Sequence, residues 1–310
     1  MSDARAELLA DGGEAAASAD FFRSPAFHAA EGVTHTLRIE APGGELRGAL
    51  IVREIEAGGI DASSPYGYPG LAGGGGTRLD PARIDFAPTG LISAFVRHRL
   101  SAEPPLSGAT RRNTVLLADP ELPRKSRMSD RQQVRKNLRR GYEMRIVPGP
   151  EASAKEREGF LAAYTETMTR AEAAPRYFFD AAYFDRALSS ELSWLALALA
   201  PGGGVAAGSI AVQSDGLLHY YLSGTASEHL RDSPMKNLVS ALTDFAEERG
   251  LPLNLGGGIS AGDRLEEFKR GFANREEPWH TSELVCDKDA YERLSRGRDA
   301  GGFFPAYRAP

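Results

Sequence analysis

Residues 193–225 hold three strand-like runs in succession, and no other segment restricts the fold as tightly. SWLALALA, VAAGSIAVQS and LLHYYLSGT are apolar stretches of strand length. Residues 201–204 join the first two, and Asp215 with Gly216 joins the last two, both of them turn compositions. Ahead of them Phe160, Tyr164 and Met168 recur at i, i+4 and i+8, the mark of an amphipathic helix. Behind them Ser233 and Pro234 read as N-cap and N1 of a helix whose Leu238, Leu242 and Phe245 face inward, with Gly250 as its stop. A strand at 251–255, a helix carrying Lys269 and a closing strand near 281–286 follow. The order helix–helix–β–β–β–α–β–α–β predicts a mixed α/β sheet covered by helices.

The first half reads as a shorter version of the same plan. THTLRIE and RGALIVREIE flank a turn at Pro42, Gly43 and Gly44, giving a hairpin. Residues 58–76 are loop-rich, 89–99 suit a helix, 113–118 a strand and 131–140 a helix ended by Gly141, after which YEMRIVP suits a strand. Residues 1–20 read as a disordered, alanine-rich tail. At 310 residues the chain can bury two cores, so the expected division is a tail at 1–20, a first lobe at 21–130 and a second at 131–310.

The single cysteine, Cys286, excludes an intramolecular disulfide and fits a reducing compartment. The N-terminal segment carries acids where a secretory leader needs positive charge, and no window approaches 18 apolar residues. The expectation is a cytoplasmic monomer with no membrane span. The net charge of −5 is unevenly spread: residues 124–145 hold nine Lys/Arg against two acids, a local +7, which leaves −12 for the rest. Such a patch on an acidic body favours one anionic partner at one place.

Candidate chemistry gathers at residues 251–272, LPLNLGGGISAGDRLEEFKRGF. Glycines 256, 257 and 258 (Gly256, Gly257, Gly258) end a strand and permit close backbone approach. Asp263 and Glu266 suggest a capping box for a helix whose Leu265, Phe268 and Phe272 turn inward, with Lys269 beside that stripe. Lys269 is then one fixed positive charge offered to a ligand; the plainer alternative is a solvated helix lysine. On LLHYYLSGT, period-2 alternation puts His219, Tyr221 and Ser223 on one face. His219 is a candidate base, with a hydrogen-bonded core histidine as the alternative. Asn254, polar among leucines, suits substrate positioning. Tyr66 and Tyr68 in SPYGYPG suit contacts to an acceptor, against a plain structured loop. Over 131–140, Val134 and Leu138 form a narrow apolar stripe, while Arg131, Arg135, Lys136, Arg139 and Arg140 cover the adjoining half-circle and can follow a phosphate backbone. No HExxH, Cys/His cluster, Walker sequence or G-x-S-x-G points to a metal, nucleotide or serine-hydrolase site.

HYYLSGT, the Ser-Pro helix start, LNLGGG, EEFKRGF and RQQVRKNLRRGYEMRIV together resemble the Fem-type (FemABX-like) peptidyltransferases of the GNAT acyltransferase superfamily. The resemblance spans roughly residues 30–285 and is most specific at the FKRGF and LNLGGG blocks. It implies two fused GNAT-like lobes with a cleft between them. No long heptad segment interrupts the chain, so the coiled-coil arm of some members is absent. It also implies an aminoacyl-tRNA-dependent N-acyltransferase that forms an amide bond on an amine of a small peptide, a peptidoglycan precursor or an antibiotic intermediate. Phe268 and Lys269 match the family's Phe-Lys pair, implicated in placing the tRNA acceptor end and stabilising negative charge. The GNAT loop that holds the pyrophosphate of coenzyme A, typically Q/R-x-x-G-x-G/A, corresponds here to ASEHLRDSPMKN, which has no glycine and in which Pro234 removes an amide donor. The expectation is therefore no resident cofactor, with aminoacyl-tRNA as co-substrate. The alternatives are an acyl-CoA-dependent N-acyltransferase and a non-catalytic peptide- or tRNA-binding module.

Overall fold

The computed structural model describes residues 3–74, 78–258 and 262–309. In chain order it runs β1 (Ala4–Leu9), α1 (Pro25–Glu31), β2 (His35–Ala41), β3 (Gly44–Glu54), β4 (Ile60–Ser63), β5 (Ala72–Gly73), β6 (Ile84–Asp85), β7 (Leu91–Arg97), β8 (Thr110–Ala118), α2 (Met128–Arg139), β9 (Glu143–Pro148), α3 (Ala154–Arg170), α4 (Ala181–Leu188), β10 (Ser193–Leu199), β11 (Val205–Ser214), β12 (Leu217–Thr225), α5 (Met235–Glu247), β13 (Leu253–Gly256), α6 (Arg264–Arg270), β14 (Arg275–Val285) and α7 (Lys288–Ser295). The chain divides into two compact units, residues 1–113 with 278–310, and residues 114–277.

The first unit departs from three expectations. It is built on a sheet and carries only two α-helices among its described residues, so it is not a shortened copy of the second. Its strands run β6-β1-β2-β3-β4-β7-β14, with β5 against β3. The disordered tail is also corrected: β1 pairs antiparallel with β2 and parallel with β6, and its Ala4 and Ala6 are buried while Arg5 is exposed. Alanine is a weak strand former, so this alternation gives little signal. Third, residues 91–97 form a strand, not a helix. β7 lies between β4 and β14 and is buried on both faces, so its LISAFVR lacks the alternation of a half-exposed strand. The lobe boundaries move accordingly, because the C-terminal residues return to the first unit. Arg308 and Tyr307 both reach Asp61, whose carboxylate is fully buried and also holds Arg53.

In the second unit the sheet runs β8-β13-β12-β11-β10-β9. It is antiparallel except where β13 lies parallel to β12. One face packs on α5 through Ala196, Ala211, Leu218, Leu238, Leu242, Leu253 and Leu255. The other carries the rings of Phe160, Tyr164 and Phe184 from α3 and α4, with Phe184 centred 5.1 Å from each of the other two. Two glycines let α3 come this close. A Cβ on Gly208 would stand 2.7 Å from the Phe160 ring, and one on Gly224 would stand 2.5 Å from the backbone of Ala163 and Tyr164. The helix opens on a complete capping box, Ser153 with Glu156. Ser233, expected as a side-chain cap for α5, instead adopts φ 48° and its hydroxyl does not cap the helix; Pro234 precedes the first turn.

Backbone atoms cannot give way as a flexible side chain can. Gly224→Ala is therefore expected to lower stability by about 3 kcal/mol. Urea unfolding should show a lower midpoint with an unchanged slope.

Candidate active site

Parallel strands β12 and β13 pair at only two positions, Leu218 with Leu253 and His219 with Asn254. Both strands continue beyond, to Thr225 and Gly256, without pairing to each other. The two strands thus part in the second unit, and His219, Asn254, Gly256 and Lys269 gather where they do.

On the β12 side the alternation expected for His219, Tyr221 and Ser223 is broken by a bulge. Ala211 faces Tyr220 and Ile210 faces Leu222, so Tyr221 is the extra residue. The result separates residues that strict alternation groups. Ser223 hydrogen-bonds Tyr220, whose phenol burial pushes up to about 12. Tyr221 turns its hydroxyl to that of Tyr183 at 2.9 Å, and Tyr183 stacks on Phe179 at 4.0 Å. Sequence reasoning misses this contact, which joins β12 to α4.

His219 is not placed as a base. It is 1% exposed, and its ring lies against two protein groups, the Ser214 carbonyl at 3.1 Å from Nε2 and the Asn254 side-chain nitrogen at 3.0 Å from Nδ1. Asn254 Oδ1 accepts the Gly256 N–H at 2.8 Å, which leaves its NH2 group to face the ring. Assigned from this network, Nδ1 accepts and Nε2–H donates. Asn254 is itself 2% exposed, so its amide holds the strand end in place of a substrate.

Beyond Asn254 the chain turns at Gly256, φ 73°, where a Cβ would stand 3.3 Å from Lys269 Nζ. That nitrogen donates to the Gly257 carbonyl at 2.7 Å. Gly258 follows, and the expected loop then passes through Ile259, Ser260 and Ala261, which lie outside the described residues, as do Gly75 and Gly76 of the first-half glycine run. The Lys269 helix, α6, starts where expected. Asp263 accepts the Glu266 N–H at 2.7 Å, while Glu266 reaches back to the Gly262 N–H at 2.8 Å. Its inward face is shifted by one position: Leu265 is 38% exposed, whereas Lys269 is only 8% exposed beside Phe268 and Phe272. Burial pushes the Lys269 ammonium down to about 8, against the opposing pull of Asp263. Lys269 is thus no solvated helix lysine. An ammonium has three donors, and among the described residues one partner is found, the Gly257 carbonyl.

The basic helix α2 is exposed at Arg131, Arg135, Lys136, Arg139 and Arg140, but it does not dock through Val134 and Leu138. Leu138 is 51% exposed. The inward face is polar and meets the start of α5. Asn137 donates to Asn237 Oδ1 at 2.8 Å and to the Asp232 carbonyl at 2.7 Å, Gln133 donates to the same carbonyl at 3.0 Å, and Asn237 donates to the Val134 carbonyl at 3.1 Å. Lys236 pairs with the buried Asp130 at 2.8 Å, and Arg140 pairs with Asp232. Asp130 and Asn137 recur seven residues apart, a helical signal that apolar patterning passes over. The outward face carries Met128, Arg135, Leu138 and Arg139. Arg131 is tied to the Ser126 carbonyl.

The tyrosines of SPYGYPG lie in the first unit. Tyr68 packs edge-on against Phe22 and Trp279, each at 5.6 Å, as part of the unit's structure. Tyr66 is 36% exposed, and its N–H is held by Glu31 at 2.7 Å.

Residues 124–270 match the model of the acetyltransferase (GNAT) domain. No curated protein matches the chain in sequence. Among solved structures, FemX superposes with a TM-score of 0.57 at 9% identity, covering 83% of this chain and 89% of that one. The L-PGS from Bacillus licheniformis superposes with a TM-score of 0.53 at 12% identity, covering 79% and 82%. The chain shares the fold of these two structures, and its residues 124–270 match a GNAT domain. No helix among the described residues is long and apolar enough to cross a membrane.

The state of Lys269 gives a stability prediction. The folded chain releases this proton near 8 and the unfolded chain near 10.5, so the unfolded state holds more protons between those values. Its burial therefore destabilises the fold below pH 8, and that penalty fades as pH rises toward 10.5. Lys269→Met is expected to be more stable than the parent at pH 7, by an amount on the order of 2 kcal/mol. Paired unfolding curves at pH 7 and pH 10 should show the difference closing at the higher pH.

Proposed function

We propose that this acyltransferase forms an amide bond by moving an aminoacyl group from aminoacyl-tRNA to an amine on a small peptide, a cell-envelope precursor or a natural-product intermediate. The observation that carries the reading is the buried ammonium of Lys269, held under a glycine turn where β12 and β13 part. The amine attacks the ester carbonyl carbon of the donor, a C–N bond forms, and negative charge gathers on the carbonyl oxygen. Collapse breaks the C–O ester bond; the tRNA ribose oxygen leaves and takes up a proton as the attacking nitrogen loses one. A cation fixed in a dry site before the reaction lowers the barrier for the charged stage, with single donors worth about 3–4 kcal/mol. Phe268 packs beside the lysine and holds its helix. With His219 engaged at both nitrogens, the proton is assigned to groups of the substrates.

Two further features support tRNA over coenzyme A as the donor. The start of α5, where GNAT enzymes bind pyrophosphate, is met by α2, whose Asn137 donates to the Asp232 carbonyl and whose neighbour Arg140 pairs with the Asp232 carboxylate, while Pro234 leaves one amide donor fewer. The outward arginines of α2 offer a surface that a nucleic-acid backbone can follow. A donor carried by coenzyme A is the rival reading, and the match to an acetyltransferase domain model favours it.

Assays with labelled aminoacyl-tRNA and with labelled acyl-CoA, each offered to amine acceptors, separate the two. Turnover with acyl-CoA alone would sink the proposal. With aminoacyl-tRNA, Lys269→Met is expected to lower kcat by roughly a hundredfold or more. The double variant Arg135→Ala, Arg139→Ala is expected to weaken tRNA binding and to flatten its logarithmic salt dependence by about one to two units.

A further inference from the structure

We propose that His219 and Asn254 are positioning residues that fix the Gly256 turn and thereby the place where the Lys269 ammonium is presented. The inference rests on the reading above only in taking that ammonium as the working group. The pair stands at the last rung of the β12–β13 ladder, where two parallel strands separate. Past that rung β13 loses its partner on the β12 side, and its register with β8 also shifts, between Asn254 and Gly256. Asn254 answers this locally. Its Oδ1 takes the Gly256 N–H at 2.8 Å, and its NH2 group is held by His219 Nδ1 at 3.0 Å. His219 is held in turn by the Ser214 carbonyl at 3.1 Å. The series ends one residue beyond Gly256, at the Gly257 carbonyl, which accepts from Lys269.

A relay of side chains of this kind has no packing purpose that leucine or valine would not serve. Leu253 and Leu255 flank Asn254 in β13 and are buried without any polar partner. Buried amide and imidazole groups cost stability unless all their partners are present. Here the partners are present and converge on the one turn that faces the lysine. The links are directional, so they set an orientation as well as a distance.

The test reads the lysine directly. The chain has six lysines, so the Lys269 signal in protein carrying isotope-labelled lysine side chains is identified by its loss in Lys269→Met. In the parent it is expected to titrate near 8. Asn254→Ala frees the turn and admits water, and the Lys269 titration should move up by about one unit. His219→Leu should move it in the same direction and serves if Asn254→Ala does not fold. His219→Gln retains one donor and one acceptor and should restore the parent value. An unchanged Lys269 titration in a folded Asn254→Ala or His219→Leu protein would overturn the proposal and leave the pair as core filling. No turnover is needed for this measurement, so a failure of the aminoacyl-transfer reading shows separately, as absent activity beside a shifted lysine.

Discussion

Parallel strands normally stay in register for as long as both run, because each residue of one finds backbone partners on the other. In the second unit β12 and β13 keep this arrangement for two rungs and then give it up. Everything distinctive about the site follows from that loss. Backbone groups released from the ladder need new partners, and the Asn254 side chain supplies one to Gly256. The turn that results brings a carbonyl within reach of a helix lysine, and the lysine is drawn out of water to meet it.

A charge in that position works against the fold. Burial destabilises the ammonium, and one carbonyl partner among the described residues does not fully replace its hydration. The surrounding packing offsets this: Phe268 and Phe272 join the cluster of α5 and β13 on one side, and the double cap of Asp263 and Glu266 holds a helix of only seven residues. Stability given up at one residue and supplied by its neighbours accords with the working role proposed for Lys269.

Much of the second unit was legible in the sequence. Three strands with turn residues between them, a helix with a clear apolar face and a capped helix carrying Lys269 depend on local patterns, and all stand where the patterns put them. The misreadings share a cause, which is that long-range pairing overrode a local rule. The bulge at Tyr221 is set by the β11 partner, and it undoes the grouping of Tyr221 with Ser223. β7 is buried on both faces, with Ala94 and Val96 in one apolar cluster and Ile92 in another against Ala290 and Tyr307, and so it carries no alternation. β1 reads as a tail until β2 and β6 are beside it. On α2 the apolar stripe is real in sequence and irrelevant in space, since Asp130 and Asn137 are the buried residues and Leu138 is not. His219 and Asn254 stand out as polar groups in apolar strands, but only the rung between them shows that each exists for the other.

The polar docking of α2 bears on more than stability. Two greasy helices can rotate against one another by several degrees at little cost, because dispersion is nearly indifferent to direction. A helix seated by amides on another helix's amide and on a single carbonyl has one azimuth. The arginines on its far side therefore hold a fixed bearing relative to α5, as marks on a dial do once the spindle is keyed. For the tRNA backbone proposed as its partner, such indexing means that each phosphate found by one arginine fixes where the next will be.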